Sequence, residues 1–468
     1  MDTRHTIATV GLALCIAVPA MAQCPVHRLA QEEITWSFGG SAVEIEGDHL
    51  VIGDSAAFTF CPFRDTFRCI AGGAFAYRWD GSQWNFIQLI VPPDIGLADN
   101  YASDLKIEGD RLLVVGFDRS AGLGMLFEYR FSHEIEQWVE LGRTSITDGS
   151  GFLSFNESLA LMHINAPTSR VLRFTEGDEG WEFRDSFEAP DAIGGRTFGQ
   201  RLNVKGEWAF FSASFDSSAS PPTRHGSVYV YRRHADDTLE FTQKLLPPTG
   251  IGEGQTLNFG TSMDFDGTTL AVANTGATLD HVQQGAVYLY ELDGDQWTLS
   301  QTLTHSDAGR QFFPRGFGRG VTVNGDTLVA ATNGSLDYNF AYVFKRGRDG
   351  VWREVAVLGT GDATPAGALE EQFGARIAIA GDRVVISAPH ERTPWPMSEP
   401  IGAVYAFDLS CEICRADLDH DGALTIFDYL AFFNLFAAGD LLADFDGDGE
   451  LTLFDFLAFQ TAFDAGCL

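Results

Sequence analysis

Along most of the chain, apolar and polar residues alternate in short runs, and each run ends at a glycine or aspartate. Alternation with a period of two predicts half-buried β-strands, and the Gly-Asp and Asp-Gly pairs between them predict tight hairpins. The runs belong to a repeat. One unit opens on Phe-Gly, alternates to a Gly-Asp type turn, and continues into a second apolar strand. After a loop of variable length it resumes as Gly-Ala-Val-Tyr-x-Tyr, then an Asp/Gly turn, Trp and a following Leu. The clearest copy runs from Phe259-Gly260 through Asp266-Gly267 and Leu270-Ala271-Val272-Ala273 to Gly285-Ala286-Val287-Tyr288-Leu289-Tyr290, Trp297 and Leu303. Further copies start at Phe38-Gly39, Phe198-Gly199, Phe317-Gly318 and Phe373-Gly374. Two more are degenerate, one keeping Gly109-Asp110 and Trp138, the other Asn156-Glu157-Ser158 and Trp181.

Seven consecutive four-stranded units predict a mainly β fold, a seven-bladed β-propeller over residues 23–412, followed by a small all-α module over residues 413–468. The last unit lacks its Trp-x-Leu strand after Gly402-Ala403-Val404-Tyr405-Ala406-Phe407. Val26-His27-Arg28-Leu29 has no blade of its own and is expected to close the ring as the missing outer strand, which removes the open edges of the array. Cys24 precedes that strand and Cys411 follows its expected neighbour, so a Cys24–Cys411 disulfide would fasten the closure. Cys61 and Cys69 share one loop, and Cys414 and Cys467 bracket the C-terminal module. Other pairings of these cysteines stay open on sequence alone.

The C-terminal module carries two calcium-type loops. Such a loop needs oxygen ligands at positions 1, 3, 5, 7, 9 and 12, with glycine at 6 for the bend. The first set is Asp417, Asp419, Asp421, the carbonyl of Ala423, Thr425 and Asp428, around Gly422. The second is Asp444, Asp446, Asp448, the carbonyl of Glu450, Thr452 and Asp455, around Gly449. The match continues beyond the loops, with Leu430-Ala431-Phe432 in register with Leu457-Ala458-Phe459. Four carboxylates converge in each loop. At ~5 Å separation each pair repels by about 0.8 kcal/mol in water, roughly 5 kcal/mol per empty loop before screening. Two calcium ions are the expected cofactors.

At the N-terminus, Arg4 and His5 precede an apolar run from Ile7 to Val18 and the small-residue pattern Ala20-Met21-Ala22. This reads as a secretory signal peptide over residues 1–22, too short to span a bilayer. The expected location is secreted, extracellular or at the cell surface. A formal net charge of −33 repels phosphate backbones and argues against a nucleic-acid partner. There is no His-Glu-x-x-His, no Gly-x-Ser-x-Gly and no phosphate-binding glycine loop. The recurring Trp, Tyr and Phe positions read as core rather than as sugar platforms.

The repeat resembles the FG-GAP family of integrin α-chain heads and bacterial surface proteins, over residues 38–410. Asp264-Phe265-Asp266-Gly267 is a fragment of the Asp-rich calcium loops of integrin-type blades and is read here as a hairpin turn. The duplicated loops ending in Asp, each followed by one helix, resemble a type I dockerin. That resemblance implies attachment to a cohesin-type extracellular protein, often in polysaccharide-degrading assemblies. Ile426-Phe427 and Leu453-Phe454 stand where cellulosomal dockerins often carry small polar residues, which points to docking on the propeller or to a different partner.

The expected function is calcium-dependent attachment with recognition of a protein or glycan, without catalysis. A secreted propeller-type glycoside hydrolase or lyase is the alternative, because distant blades can gather paired carboxylates. Recognition is expected on the face of the long strand 2–3 loops and blade links, with Phe63, Arg64, Arg224 and Trp395 as anchors. The short turns at Asp80 and Asp293 lie on the opposite face. Calorimetric titration of the metal-free chain should give two calcium sites, and Asp419→Ala with Asp421→Ala should remove one of them; a stoichiometry below one in the unmutated chain refutes the loop assignment.

Overall fold

The computed structural model describes residues 27–29, 40–55, 58–60, 68–70, 72–91, 100–118, 121–146, 151–165, 168–178, 180–191, 197–216, 225–248, 258–279, 282–306, 316–332, 340–359, 372–389, 402–409, 416, 418, 424–438, 443–445 and 451–465. Seven four-stranded antiparallel sheets follow one another as blades 1 to 7. Their innermost strands are Ala42–Glu46, Asp104–Glu108, Leu153–Asn156, Leu202–Lys205, Phe259–Phe265, Val321–Asn324 and Ile377–Ala380. Each packs on the inner strand of the next blade, and Ile377–Ala380 packs on Ala42–Glu46, so the ring is closed.

The second strand of a blade is buried on both faces, because a neighbouring blade covers each side. It is therefore buried throughout and mostly apolar, as in Leu159–Ile164, Trp208–Ala213 and Thr269–Asn274. Outer strands alternate between buried and exposed, as Gln137–Ile146 does. In blades 1, 2, 3, 5 and 6 a tryptophan stands at the start of the outer strand, and in blades 2 and 5 it fills the wedge against the preceding blade. Trp138 stands 5.3 Å from His49, and Trp297 stands 5.2 Å from Phe210 and 5.5 Å from Trp208.

A glutamine on the outer strand latches this tryptophan's backbone. Gln243 Oε1 accepts from Trp297 N at 2.9 Å, and its Nε2 donates to Trp297 O at 3.0 Å. Gln88 does the same for Trp138, and Gln301 for Trp352.

The repeated glycines answer a close approach. Gly226 and Gly285 form parallel bridges to Phe259 and Phe317 of the next blade, and a Cβ on Gly226 would stand 2.1 Å from the Phe259 carbonyl oxygen. In blade 2, Tyr101-Ala102 takes the place of Phe-Gly, with Tyr101 bridged to Gly72. Ala102 holds a positive φ of 59° and fits because Gly53 faces it. In blade 1 the packing glycine is Gly40, against Ser387 and Val404. It lies one residue beyond Phe38-Gly39, which is outside the described residues.

The N-terminal strand closes blade 7 as expected. His27–Leu29 pairs antiparallel with Ala403–Asp408, Leu29 opposite Val404. The seam to blade 1 is fastened by Arg383, whose Nη2 donates to Gly47 O at 2.6 Å while its guanidinium lies 5.3 Å from the ring centre of Trp79 and 5.4 Å from that of Trp84. The cysteine pairings lie outside the described residues, since even Cys69 is described only as backbone in the strand Arg68–Ile70. Beyond the propeller come α1 (Ile426–Ala438) and α2 (Leu453–Ala465). Among the described residues no helix is long and apolar enough to cross a membrane.

Two buried histidines tie stability to pH. Burial holds both His163 and His305 at about 4, and the Arg201 charge adds to the shift at His163. An unfolded imidazole titrates near 6.5. Below that value the unfolded chain takes up protons that the folded one refuses, so the stability is complete above pH 6.5 and lost as pH falls towards 4. The loss should be on the order of 3 kcal/mol per histidine. Replacing His305, which stacks 4.8 Å from Tyr342 and 5.3 Å from Phe317, by Phe should shrink the drop in urea-unfolding free energy between pH 7 and pH 4.5. An equal drop in both proteins would show that His305 does not contribute.

Candidate functional site

The inner strands bring polar side chains to the wall of the channel. Every second residue points forward to the next blade, and many of these side chains cap its unpaired edge amides. Asp104 Oδ2 accepts from Leu153 N at 2.7 Å, Ser154 Oγ from Val204 N at 3.0 Å, and Ser262 Oγ from Val321 N at 3.2 Å. Asp264 joins three blades: Oδ1 accepts from Asn203 Nδ2 at 2.8 Å, and Oδ2 accepts from Thr322 Oγ1 and Val323 N, each at 2.9 Å. Asp266 closes the hairpin by accepting from Thr268 N at 2.7 Å and Thr269 N at 2.8 Å. The Asp264–Gly267 segment is thus a turn, with its carboxylates engaged.

Midway along the wall, Lys106 and Glu44 form an ion pair between blades 2 and 1. Burial opposes both charges: it pushes the Glu44 carboxyl up to about 7 against the pull of Lys106, while Glu44 and Asp104 raise the Lys106 ammonium above its usual range. The short-turn rim is also neutralised, and basic residues there bridge neighbouring blades. Arg78 reaches Glu136 at 2.8 Å, Arg111 reaches Glu176 at 3.3 Å, Arg346 reaches Glu291 at 2.7 Å and Lys345 reaches Asp382 at 3.2 Å. On this rim Asp80 sits in its turn, where bonds from Gln83 N, Asn85 and Ser82 hold its carboxyl far below the usual range.

The Phe-Gly rim differs. Three arginines, Arg201 of blade 4, Arg319 of blade 6 and Arg376 of blade 7, come together there, all half-buried. The Arg201 guanidinium lies 4.1 Å from the ring centre of Phe152 in blade 3, and that of Arg376 lies 5.5 Å from the same ring. Blades 3 and 7 are on opposite sides of the ring, so Arg376 reaches across the axis. Arg376 Nε donates to Ser41 O at 3.0 Å, and Arg319 Nη2 donates to Gln372 Oε1 at 2.7 Å. Gln372 holds a left-handed φ of 49°, a local strain at this rim.

Next to this rim, Lys244 pairs with Asp191 and with Asp216, the latter at 2.6 Å. Tyr229 donates to Asp191 Oδ1 at 2.7 Å, and Ser227 donates to Asp216 Oδ2 at 2.7 Å. Burial, with Asp191 and Asp216 adding to it, pushes the Tyr229 hydroxyl well above its usual range. Both carboxylates are bound into an internal brace of blade 4. The sequence-expected anchors Phe63, Arg64, Arg224 and Trp395 lie outside the described residues.

Of the calcium-loop residues, Thr425, Asp428, Asp444, Thr452 and Asp455 are described; Asp417, Asp419, Asp421, Ala423, Asp446, Asp448 and Glu450 are not. Thr425 and Thr452 cap the helices, each accepting through Oγ1 from the amide two residues on, Phe427 N and Phe454 N at 3.1 Å. Asp428 Oδ1 accepts from Leu418 N at 2.7 Å and Oδ2 from Thr425 N at 2.8 Å, so position 12 draws both ends of the loop together. Asp455 Oδ2 accepts from Thr452 N at 2.7 Å in the same way.

Asp428, Asp444 and Asp455 are buried, and the Arg353 charge of the propeller acts on Asp444. Carboxylate and hydroxyl oxygens are the donors that a hard cation takes, so Thr425, Asp428, Asp444, Thr452 and Asp455 are the described residues that could hold one. The donor set fits calcium. Behind the loops, Phe432 and Phe459 stack at 4.5 Å. Their outer neighbours Ile426, Phe427, Leu430, Leu453, Phe454 and Leu457 are exposed, Phe427 at 60% and Phe454 at 66%.

No protein-family profile matches the chain, and no curated protein matches it. Solved structures do. The chain is similar to a crystal structure of RRP9 WD40 repeats, at 11% identity and a TM-score of 0.48, covering 83% of this chain and 99% of that one. It is similar to the β-propeller domain of the Trilobed protease from Pyrococcus furiosus, at 11% identity and a TM-score of 0.46, covering 79% and 94%. It is also similar to Sqt1 of Saccharomyces cerevisiae, at 10% identity and a TM-score of 0.44, covering 80% and 96%. At these scores the blade count rests on the strand topology itself.

If Asp264 is a structural joint, Asp264→Ala should destabilise the propeller by about 2–4 kcal/mol, because three donors lose their acceptor. Calcium stoichiometry should not change; a lost ion would reassign this turn as a metal site.

Proposed function

We propose that the chain is an exported, calcium-binding protein of recognition and attachment. The propeller supplies a rigid recognition face at its Phe-Gly rim, and the C-terminal helix pair supplies attachment. The observation that carries this reading is the duplicated apolar surface at the start of α1 and α2. Exposed phenylalanines at matching positions of two repeats, beside a well-packed Phe432–Phe459 core, mark a surface meant to be covered. The resemblances to FG-GAP propellers and to type I dockerins agree with this division. The apolar pairs Ile426-Phe427 and Leu453-Phe454 favour a hydrophobic partner groove on an extracellular, cohesin-like protein over a polar one. Calcium would order the loops that carry these residues.

A glycosidase reading needs two carboxylates free for chemistry. Asp191 and Asp216, the pair next to the recognition rim, are instead held by Lys244, Tyr229 and Ser227. Binding without catalysis is therefore the preferred function.

The test is retention of the full chain on the envelope fraction of its source cell. Retention should require calcium and should fall at least tenfold in Phe427→Asp/Phe454→Asp, while the melting temperature of the propeller stays within a degree or two. Equal retention by the variant, or by the chelated protein, would exclude the helix pair as the attachment surface.

A further inference from the structure

We propose that the channel mouth framed by Arg201, Arg319 and Arg376 binds an oxyanion head group, a carboxylate, sulfate or phosphate carried by a small ligand or a chain end. This deepens the reading of the Phe-Gly rim as the recognition face and rests on it.

The first ground is unused donor capacity. A guanidinium carries five N–H donors in a planar fork that matches an oxyanion. Among the described residues, Arg201 engages one of them, with Gln200 O at 3.2 Å, and Arg319 one, with Gln372. Arg376 engages two, with Ser41 O and with Ala375 O at 3.1 Å. Their remaining nitrogens are not among the sealed, unpartnered atoms of the interior, so they are open to the channel.

The second ground is missing counter-charge. The chain carries 64 acidic residues against 31 basic ones. Even so, no carboxylate among the described residues lies within ion-pair distance of any of the three. The acid that acts on Arg201, Asp104, is already the acceptor for Leu153 N. Elsewhere in the ring, Arg78, Arg111, Arg173, Arg233 and Arg346 are all ion-paired.

The third ground is mutual repulsion. Burial, then Arg376 and Arg319, push the Arg201 guanidinium down to about 9 against the pull of Asp104, and burial and Arg376 lower Arg319 as well. Three like charges are held together by the rigid ring, and an anion between them relieves what the fold enforces. Phe152 supplies a flat apolar wall under two of the forks, which keeps them oriented.

The test uses the full chain, with calorimetry and thermal melting in sodium acetate, sulfate or phosphate, against sodium chloride at matched ionic strength. One saturable site should appear for at least one of the three anions. Preference for acetate assigns a carboxylate ligand; preference for sulfate or phosphate assigns a tetrahedral one. Arg319→Gln should weaken that affinity at least tenfold. In chloride it should melt no lower than the unmutated chain, because it removes one of three repelling charges. Arg376→Lys keeps the charge but not the fork and should weaken binding at least threefold.

Absence of saturable binding for every anion, or equal affinity in the unmutated chain and Arg319→Gln, overturns the proposal. If either occurs while envelope retention still depends on Phe427 and Phe454, the attachment function stands and only the anion site is lost.

Discussion

Seven sheets meeting at one axis share a single difficulty. Each inner strand has a neighbour in its own blade on one side only, and its other edge of amides and carbonyls faces the channel. An unpaired backbone edge in a confined space is costly, and it is a template for wrong pairing. This protein answers with side chains from the preceding blade. Asp104, Ser154, Ser262 and Asp264 each accept from an amide of the following inner strand. The polar residues of the channel are thereby joints at the seams between blades 2 and 3, 3 and 4, and 5 and 6.

The same arrangement sorts the two rims. On the short-turn rim every seam can be bridged by a long basic side chain, because the turns are short and uniform, and the arginines there are matched by acids. On the Phe-Gly rim the chain leaves for loops and blade links. Glycines such as Gly226 and Gly285 bring backbones of adjacent blades so close that side chains are excluded from the seam. Arginines placed just after Phe-Gly are then directed to the axis. An acidic protein thus carries a cationic centre at one end of its channel and bridged, compensated charge at the other. A ligand drawn to that centre would find geometry already fixed by packed sheets, and little reorganisation would oppose its binding.

Much of this was legible in the sequence, and the reasons differ from element to element. The blade count followed from repetition, and the closing role of His27–Leu29 from a missing partner after Ala403–Asp408. Tyr101-Ala102 escaped notice because the change is paired: alanine replaces glycine in one blade where Gly53 replaces a larger residue in the one before. The glutamine latches were hidden by ordinary polarity, although Gln88, Gln243 and Gln301 each stand one or two residues before the final apolar position of an outer strand. The arginine centre joins residues far apart in sequence, and only closure of the ring brings them together. A trace was present in Phe198-Gly199-Gln200-Arg201, Phe317-Gly318-Arg319 and Phe373-Gly374-Ala375-Arg376, where arginine follows Phe-Gly in one blade after another. The calcium loops rest on ligand spacing alone, most of their residues lying outside the described ones, and the capping bonds at Thr425 and Thr452 were not legible, since one hydroxyl serves both descriptions.

The closing strand also decides how this molecule would carry load. If the helix pair is the tether, tension enters the propeller just after Ala403–Asp408. That strand is clasped from both sides, by Arg383–Ala388 in the interior and by His27–Leu29 at the rim. A pull from the tether must therefore strain two ladders together. The first residues of the folded domain and the last are gripped in the same sheet, so a drag on one end is resisted by the other, and the ring behaves as a buckle that tightens at the point where it is hung.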